Sequence, residues 1–151
     1  MNNFKVLGIN FGGHDTSSCL MINGQLVACC EEERYCGDKH TRMFPINAIN
    51  DCLKTAGLRI EDIDEVAFAY NPDILFKKKN VSKIRRSLPT KEDYKKLLSE
   101  RTGYNGAVSF WPHHMCHVAS AYYPSGFDKA LLISNDGIGE VSCSMVAVGA
   151  S

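Results

Sequence analysis

The sequence predicts an α/β fold built from two related halves, the first complete and the second only begun. Three observations carry this. Up to residue 30, short apolar runs alternate with turn signals, as in a three-stranded antiparallel meander. A helical pattern then leads into a fourth apolar run, making a strand–helix–strand crossover whose strands run parallel. Finally, VLGINFGGHDTSSCLM (6–21) lies over LLISNDGIGEVSCSMV (131–146) at a constant offset of 125. In that overlay Asn10 meets Asn135, Gly12 meets Gly137, Asp15 meets Glu140 and Ser17 meets Ser142.

Each element has a local reason. Phe4 to Ile9 (FKVLGI) is a short apolar run suited to a buried strand. NFGGHDT turns, and Ser18 to Ile22 is apolar again. Asn23-Gly24 is a hairpin signal, because both residues tolerate positive φ, and Gln25 to Cys30 returns as the third strand. Pro45 suits the first position of a helix. Ile46, Ile49, Leu53 and Ala56 follow at helical spacing, and Gly57 ends that helix. EVAFAY (65–70) is the fourth strand. Residues 72–101 change character: KKKNVSKIRRS (77–87) carries six basic residues and no acid, and KEDYKKLLSER (91–101) is mixed and helical. The basic run is either a solvated helical excursion or a lid over an anionic ligand. Ala107 to Phe110 returns to strand, Pro112 opens a histidine-rich helix, and Ala130 to Ser134 and Val141 to Val148 are strands flanking a second polar turn. Residues 1–128 thus read as a first half-domain and 129–151 as the opening hairpin of a second, so the chain is expected to be a piece of a longer protein.

Composition narrows the function. A chain of 151 residues has room for a real core. Its 17 basic and 17 acidic side chains cancel, so nothing global selects nucleic acid or an anionic membrane as partner. No apolar run is long enough to span a bilayer, and the N-terminus lacks a signal-peptide pattern, so a cytoplasmic location is expected. The seven cysteines then read as thiols, without a CxxC pair for a zinc knuckle, and Cys29-Cys30 reads as core.

Two constellations carry chemistry. In FWPHHMCHVAS (110–120), placing Met115 at the centre of a helical wheel gathers Val118, Ala119 and Tyr122 within about 60° as a core stripe. His113 and His117 fall opposite, about 40° apart and one turn along the axis. His114 lies between the faces, and Cys116 reads as a packed thiol. An i,i+4 histidine pair is either an exposed polar face or two ligands of one transition metal. A third ligand would then come from Asp136, at the end of a buried strand, leaving positions open as in non-haem iron or catalytic zinc sites. The second constellation is His14-Asp15 in the first glycine turn, where His14 is either a general base toward a substrate hydroxyl or a turn residue bonded to backbone. The turns themselves, with Gly12, Gly13 and Asp15 in one and Gly137 and Gly139 in the other, are either phosphate-binding nests for a nucleotide or ordinary hairpin turns.

Four stretches occur in order: GINFGGHDTSS, EEER–DKHTRMFP, WPHHMCHVASAYYPS and NDGIGE. Together, over about residues 5–148, they resemble the N-terminal part of the O-carbamoyltransferases, which include nodulation-factor and antibiotic-tailoring enzymes. The resemblance is weakest across 72–105. It implies a ribonuclease-H-like fold of the actin-like ATPase (ASKHA) class, close to the domain that carries threonylcarbamoyl transfer in tRNA modification. It also implies a chemistry in which a separate C-terminal domain makes carbamoyl adenylate from carbamoyl phosphate and ATP. The present domain would then pass the carbamoyl group to a small-molecule hydroxyl acceptor. Carried over by motif, His113, His117 and Asp136 would hold Fe²⁺, with Zn²⁺ as the alternative, a further aspartate ligand would lie beyond Ser151, and His14 would be the catalytic base. In the same family the turns bearing His14 and the metal ligands face one cleft. Lys39 and Arg42, in the basic loop after EEER, would contact phosphate or carbamoyl. The glycine pair before HD departs from the bulkier residues of many relatives, which bears on the acceptor pocket. Two rivals are a threonylcarbamoyl-type transferase acting on tRNA and a non-catalytic nucleotide- or metal-binding module.

Overall fold

A computed structural model of the chain describes residues 3–76 and 89–150. The basic run at 77–87, read above as an excursion or a lid, lies outside the described residues. Those described fall into two compact units, one from Met1–Ala69 and Pro89–Phe110 and one from Tyr70–Leu88 and Trp111–Ser151.

The first unit is a five-stranded sheet. Its strands are β1 (Lys5–Asn10), β2 (Ser17–Ile22), β3 (Gln25–Glu31), β4 (Glu65–Phe68) and β5 (Ala107–Phe110), in the order β3-β2-β1-β4-β5. β1, β2 and β3 pair antiparallel, and β4 joins β1 and β5 in parallel, as the meander and crossover predict. Asn23 (φ 51) and Gly24 (φ 78) make the tight β2–β3 turn. The short helix α1 (Glu33–Cys36) follows β3, and α2 (Ile46–Ala56) buries Ala48, Ile49, Cys52 and Leu53. Pro45 stands just before α2 rather than in its first turn, and Gly57 (φ 65) closes it.

With no capping side chain at Pro45, α2 takes its N-terminal acceptor from a distance. The fully buried Glu32 accepts from Ala48 N–H (2.9 Å) and from Asn47 Nδ2 (2.6 Å). EEER, which reads from sequence as a polar exit from the sheet, thus contains a core residue. The reverse correction applies to Cys29-Cys30. β3 is an edge strand; Cys30 faces α2, its thiol donating to Asp51 Oδ2 (3.3 Å), so the alternation of a strand leaves Cys29 exposed on the other face.

In α4 (Lys91–Thr102), Thr90 and Asp93 form a reciprocal capping box, and Tyr94 and Leu98 are buried. Tyr94 joins an aromatic cluster with Phe11, Phe68 and Phe110, at centroid separations of 5.2–5.9 Å. This cluster backs the first glycine turn, and Tyr94 Oη donates to Phe11 O (3.4 Å). Gly12 has φ +113, and a Cβ there would stand 2.1 Å from Tyr94 Oη, so both conformation and space demand glycine.

The second unit contains α3 (Pro72–Phe76), α5 (His113–Tyr122) and the antiparallel hairpin β6 (Lys129–Asn135) with β7 (Ser144–Ala150). β7 starts later than the expected Val141, because Asp136 N–H donates to Cys143 O and Gly139 N–H to Ser142 O, both at 2.8 Å. Those bonds belong to the turn. The repeat therefore holds for the first strand, with Asn10 and Asn135 both ending one, but the second turn is two residues longer: Asn10 pairs Ser17, and Asn135 pairs Ser144.

Candidate active site and metal centre

α5 presents its histidines differently from the wheel drawn on Met115. Met115 is 42 % exposed, whereas His114 is buried with Val118, one turn on. A buried imidazole is costly unless both nitrogens are satisfied. Here Nε2 lies 2.9 Å from Ser142 O and Nδ1 lies 2.7 Å from Ser134 Oγ. A carbonyl only accepts, so Nε2 carries the proton, and the serine hydroxyl, able to donate or accept, satisfies Nδ1. His114 thereby bridges α5 to both flanks of the second glycine turn. Gly139 is needed for this approach, since a Cβ there would stand 2.9 Å from the His114 ring.

The same helix start is held by Glu140, 4 % exposed, whose Oε1 accepts from His113 N–H (2.9 Å) and Asn71 N–H (2.8 Å). The overlay matches Glu140 to Asp15 without saying what it does. Its role as a remote cap and that of His114 as a bridge escape pattern reading, because neither residue contacts a sequence neighbour of the kind that periodicity detects.

These constraints converge on one point. His113 Nε2 and Asp136 Oδ2 are 3.0 Å apart, His117 Nε2 and the same oxygen 3.4 Å, and the two Nε2 atoms 3.0 Å. Gly137 N–H holds the other carboxylate oxygen, Oδ1, at 2.6 Å. That backbone donor, with the His113 ring next, keeps the Asp136 carboxyl below the usual carboxylate range. Donors bound to one tetrahedral metal at about 2.0–2.2 Å stand roughly 3.3–3.6 Å from one another. The spacing of these three fits such an ion, and two imidazoles with one carboxylate suit iron or zinc alike. The residues predicted as ligands are thus brought together by α5 and the end of β6.

In the first unit, the β1–β2 turn carries His14 and Asp15, and Asn10 Nδ2 donates to Asp15 O (2.9 Å). His14 Nδ1 lies 2.5 Å from Asp15 Oδ2. A third residue, absent from the sequence reading, completes the group: His40 Nδ1 lies 2.7 Å from Asp15 Oδ1. Bonds from His14 first and His40 second lower the Asp15 carboxyl, so it is ionised and accepts from both rings. Lys39 and Arg42 are exposed in the loop that carries His40, and Gly13 and Gly137 have nothing within 4 Å of a would-be Cβ. Burial raises the Cys19 thiol and pushes that of Cys52 up to about 12, so neither is an activated nucleophile.

The family model "Carbamoyltransferase N-terminus" matches residues 5–150. Nodulation protein NolNO of Sinorhizobium fredii is 33 % identical over 90 % of this chain and 21 % of its own length. The uncharacterized protein sll1178 of Synechocystis is 31 % identical over 89 % of the chain and 26 % of its own length. The chain therefore spans about a quarter of the curated relatives it matches. Among solved structures, an uncharacterized protein with similarity to the peptidase YEAZ from Pseudomonas aeruginosa aligns with 89 % of this chain and 55 % of its own, at 14 % identity and TM-score 0.50. YeaZ from Pseudomonas aeruginosa aligns with 89 % of the chain and 56 % of its own, at 14 % identity and TM-score 0.49. The fold is the ribonuclease-H-like, actin-like one, as the order β3-β2-β1-β4-β5 with an antiparallel meander requires. Among the described residues no helix is long and apolar enough to cross a membrane.

Proposed function

The chain belongs to the carbamoyltransferase N-terminus family, and on that premise we propose that it forms the transfer portion of an O-carbamoyltransferase acting on a hydroxyl of a small-molecule acceptor. The observation that carries this reading is the meeting of His113 Nε2, His117 Nε2 and Asp136 Oδ2 within 3.4 Å in a chain of this family. The donor is carbamoyl adenylate, made from carbamoyl phosphate and ATP by an adenylate-forming domain elsewhere in the full-length protein.

Chemically the step is modest. The acceptor oxygen attacks the carbamoyl carbon, the bond from that carbon to the phosphate oxygen breaks, and AMP departs with the bonding pair. The mixed anhydride is already activated, so the protein must orient it and receive the hydroxyl proton. His14 fits that task. With Nδ1–H donated to Asp15, its lone pair is on Nε2, and its side chain is 65 % exposed to an incoming acceptor. His113, His117 and Asp136 would hold Fe²⁺, or Zn²⁺, which when bound supplies a Lewis acid for phosphate oxygens. Within the first unit, the glycine turn with Lys39 and Arg42 would receive phosphate oxygens; the glycine turn of the second unit is proposed separately as a phosphate contact.

Two measurements test this. Purified chain reconstituted anaerobically with Fe²⁺ retains one equivalent by elemental analysis, and His117→Ala retains none; equal retention in both removes the metal assignment. Full-length protein given labelled carbamoyl phosphate, ATP and a panel of hydroxylated acceptors forms carbamate ester, and His14→Gln lowers its turnover by about 100-fold or more. Unchanged turnover in His14→Gln would sink the base assignment.

A further inference from the structure

We propose that His40 is a positioning residue for His14, acting through Asp15 to fix the proton on His14 Nδ1. The inference rests on the reading of His14 as the base. It comes from the way one carboxylate is divided. Asp15 Oδ2 takes His14 Nδ1 at 2.5 Å and Oδ1 takes His40 Nδ1 at 2.7 Å. A base that receives a proton on Nε2 must hold its own proton on Nδ1, and an acceptor kept in place beneath Nδ1, here a carboxylate, favours that tautomer. Asp15 alone is poorly suited to that duty. Its side chain is 43 % exposed, so water competes for both oxygens. A second donor on Oδ1 restricts the rotation that would take Oδ2 away from His14.

The backbone is arranged to deliver this second donor. Asp15 (φ 57) and His40 (φ 56) both adopt the left-handed conformation that side chains rarely take. The loop carrying His40 is tied at two points. Thr16 N–H donates to Thr41 O (3.4 Å), and His40 N–H donates to Glu33 Oε2 (3.2 Å). The two strained residues thus face each other across a pinned pair of loops, and their side chains meet at the carboxylate.

The test needs no turnover. The tautomer of each histidine is read from long-range ¹H–¹⁵N spectra of the ¹⁵N-labelled chain at neutral pH. In the wild type, His14 and His40 both show the Nδ1–H form. His40→Gly removes the donor while suiting the left-handed backbone, so the fold survives. In that variant His14 loses the Nδ1–H signature in favour of Nε2–H, as it does in Asp15→Asn. His40→Asn, which also tolerates positive φ and keeps an N–H donor near the Nδ1 position, restores it. Retention of the Nδ1–H form in His40→Gly overturns the proposal. So does a zinc titration of the His113→Ala/His117→Ala protein that finds one ion bound and loses it in His40→Gly, because the three side chains would then be ligands. Failure of the base reading shows elsewhere, as unchanged turnover in His14→Gln.

Discussion

Removing the Glu140 carboxylate should loosen both the helix that carries the two histidines and the metal they would bind. Oε1 accepts from Asn71 N–H at 2.8 Å and His113 N–H at 2.9 Å, and Oε2 lies 3.2 Å from His113 N–H. In Glu140→Ala both backbone donors lose this acceptor inside a buried site, at about 1–3 kcal/mol each where water does not replace it. The favourable placing of negative charge at the start of α5 disappears as well, worth up to ~2 kcal/mol. Against this stands the relief of no longer burying a carboxylate, so the expected net loss is about 3 kcal/mol. Glu140→Gln separates geometry from charge. The amide keeps the oxygen that serves both donors and forfeits mainly the charge, so about 1 kcal/mol is expected. Trp111, the only tryptophan, stands two residues before His113 and reports this unit in urea titrations followed by fluorescence. Metal titration provides the second reading: shifting the backbone of His113 should weaken binding by about 10–100-fold in Glu140→Ala. Equal losses for the alanine and glutamine variants, or an alanine variant within about 0.5 kcal/mol of wild type, would refute the account of Glu140 as a remote cap.

Three further outcomes are expected. Gly139→Ala drives a methyl to 2.9 Å from the His114 ring, so it should cost about 1–3 kcal/mol in the same titration and weaken metal binding; a silent substitution would show that the ring can yield. Glu32→Ala, by exposing the start of α2, should cost about 2–3 kcal/mol, measured by circular dichroism during urea unfolding, with metal affinity unchanged because Glu32 belongs to the other unit. Asp136 has its carboxyl depressed in the folded state, so the metal-free protein should keep that contribution above the ordinary aspartate range near pH 4 and lose it as pH falls through the lowered value. Asp136→Asn should flatten that acid limb of the stability curve, and an unaltered limb would count against the bonds drawn to Oδ1 and Oδ2.

What was legible in the sequence followed from local physics. Asn23-Gly24, Pro45, Gly57 and the apolar runs up to Cys30 place the meander and crossover, since turn chemistry and strand length act over a few residues. The i,i+4 spacing of His113 and His117, with Asp136 at a strand end, likewise brings the candidate ligands together. The errors lie where one residue answers to a partner far along the chain. His114 displaces Met115 from the buried face of α5 only because Ser134 and Ser142, 20 and 28 residues on, satisfy both of its nitrogens. Cys29 reads as core but lies on an edge strand, and a strand's place in the sheet is not written in its own residues. His40 looks like one more polar residue in DKHTR until the fold sets it against a carboxylate 25 positions earlier.

The two glycine turns each deliver an aspartate to a pair of imidazoles, yet the two pairings differ in geometry. At Asp15 each oxygen serves one ring through Nδ1, and both Nε2 atoms are left to meet something else. Every contact there is a hydrogen bond with its proton accounted for. At Asp136 one oxygen faces both Nε2 atoms, which are themselves 3.0 Å apart, while the other oxygen is bound by Gly137 N–H. A neutral imidazole carries one N–H, so the three crowded atoms have at most two ring protons between them. A cation at the centre would answer all three at once. The overlay that matches Asp15 with Glu140 therefore aligns strands and not surroundings: the aspartate that meets two imidazoles in the second turn is Asp136, at the opposite end of the longer turn, and the residue aligned with Asp15 is the cap that accepts from His113 N–H.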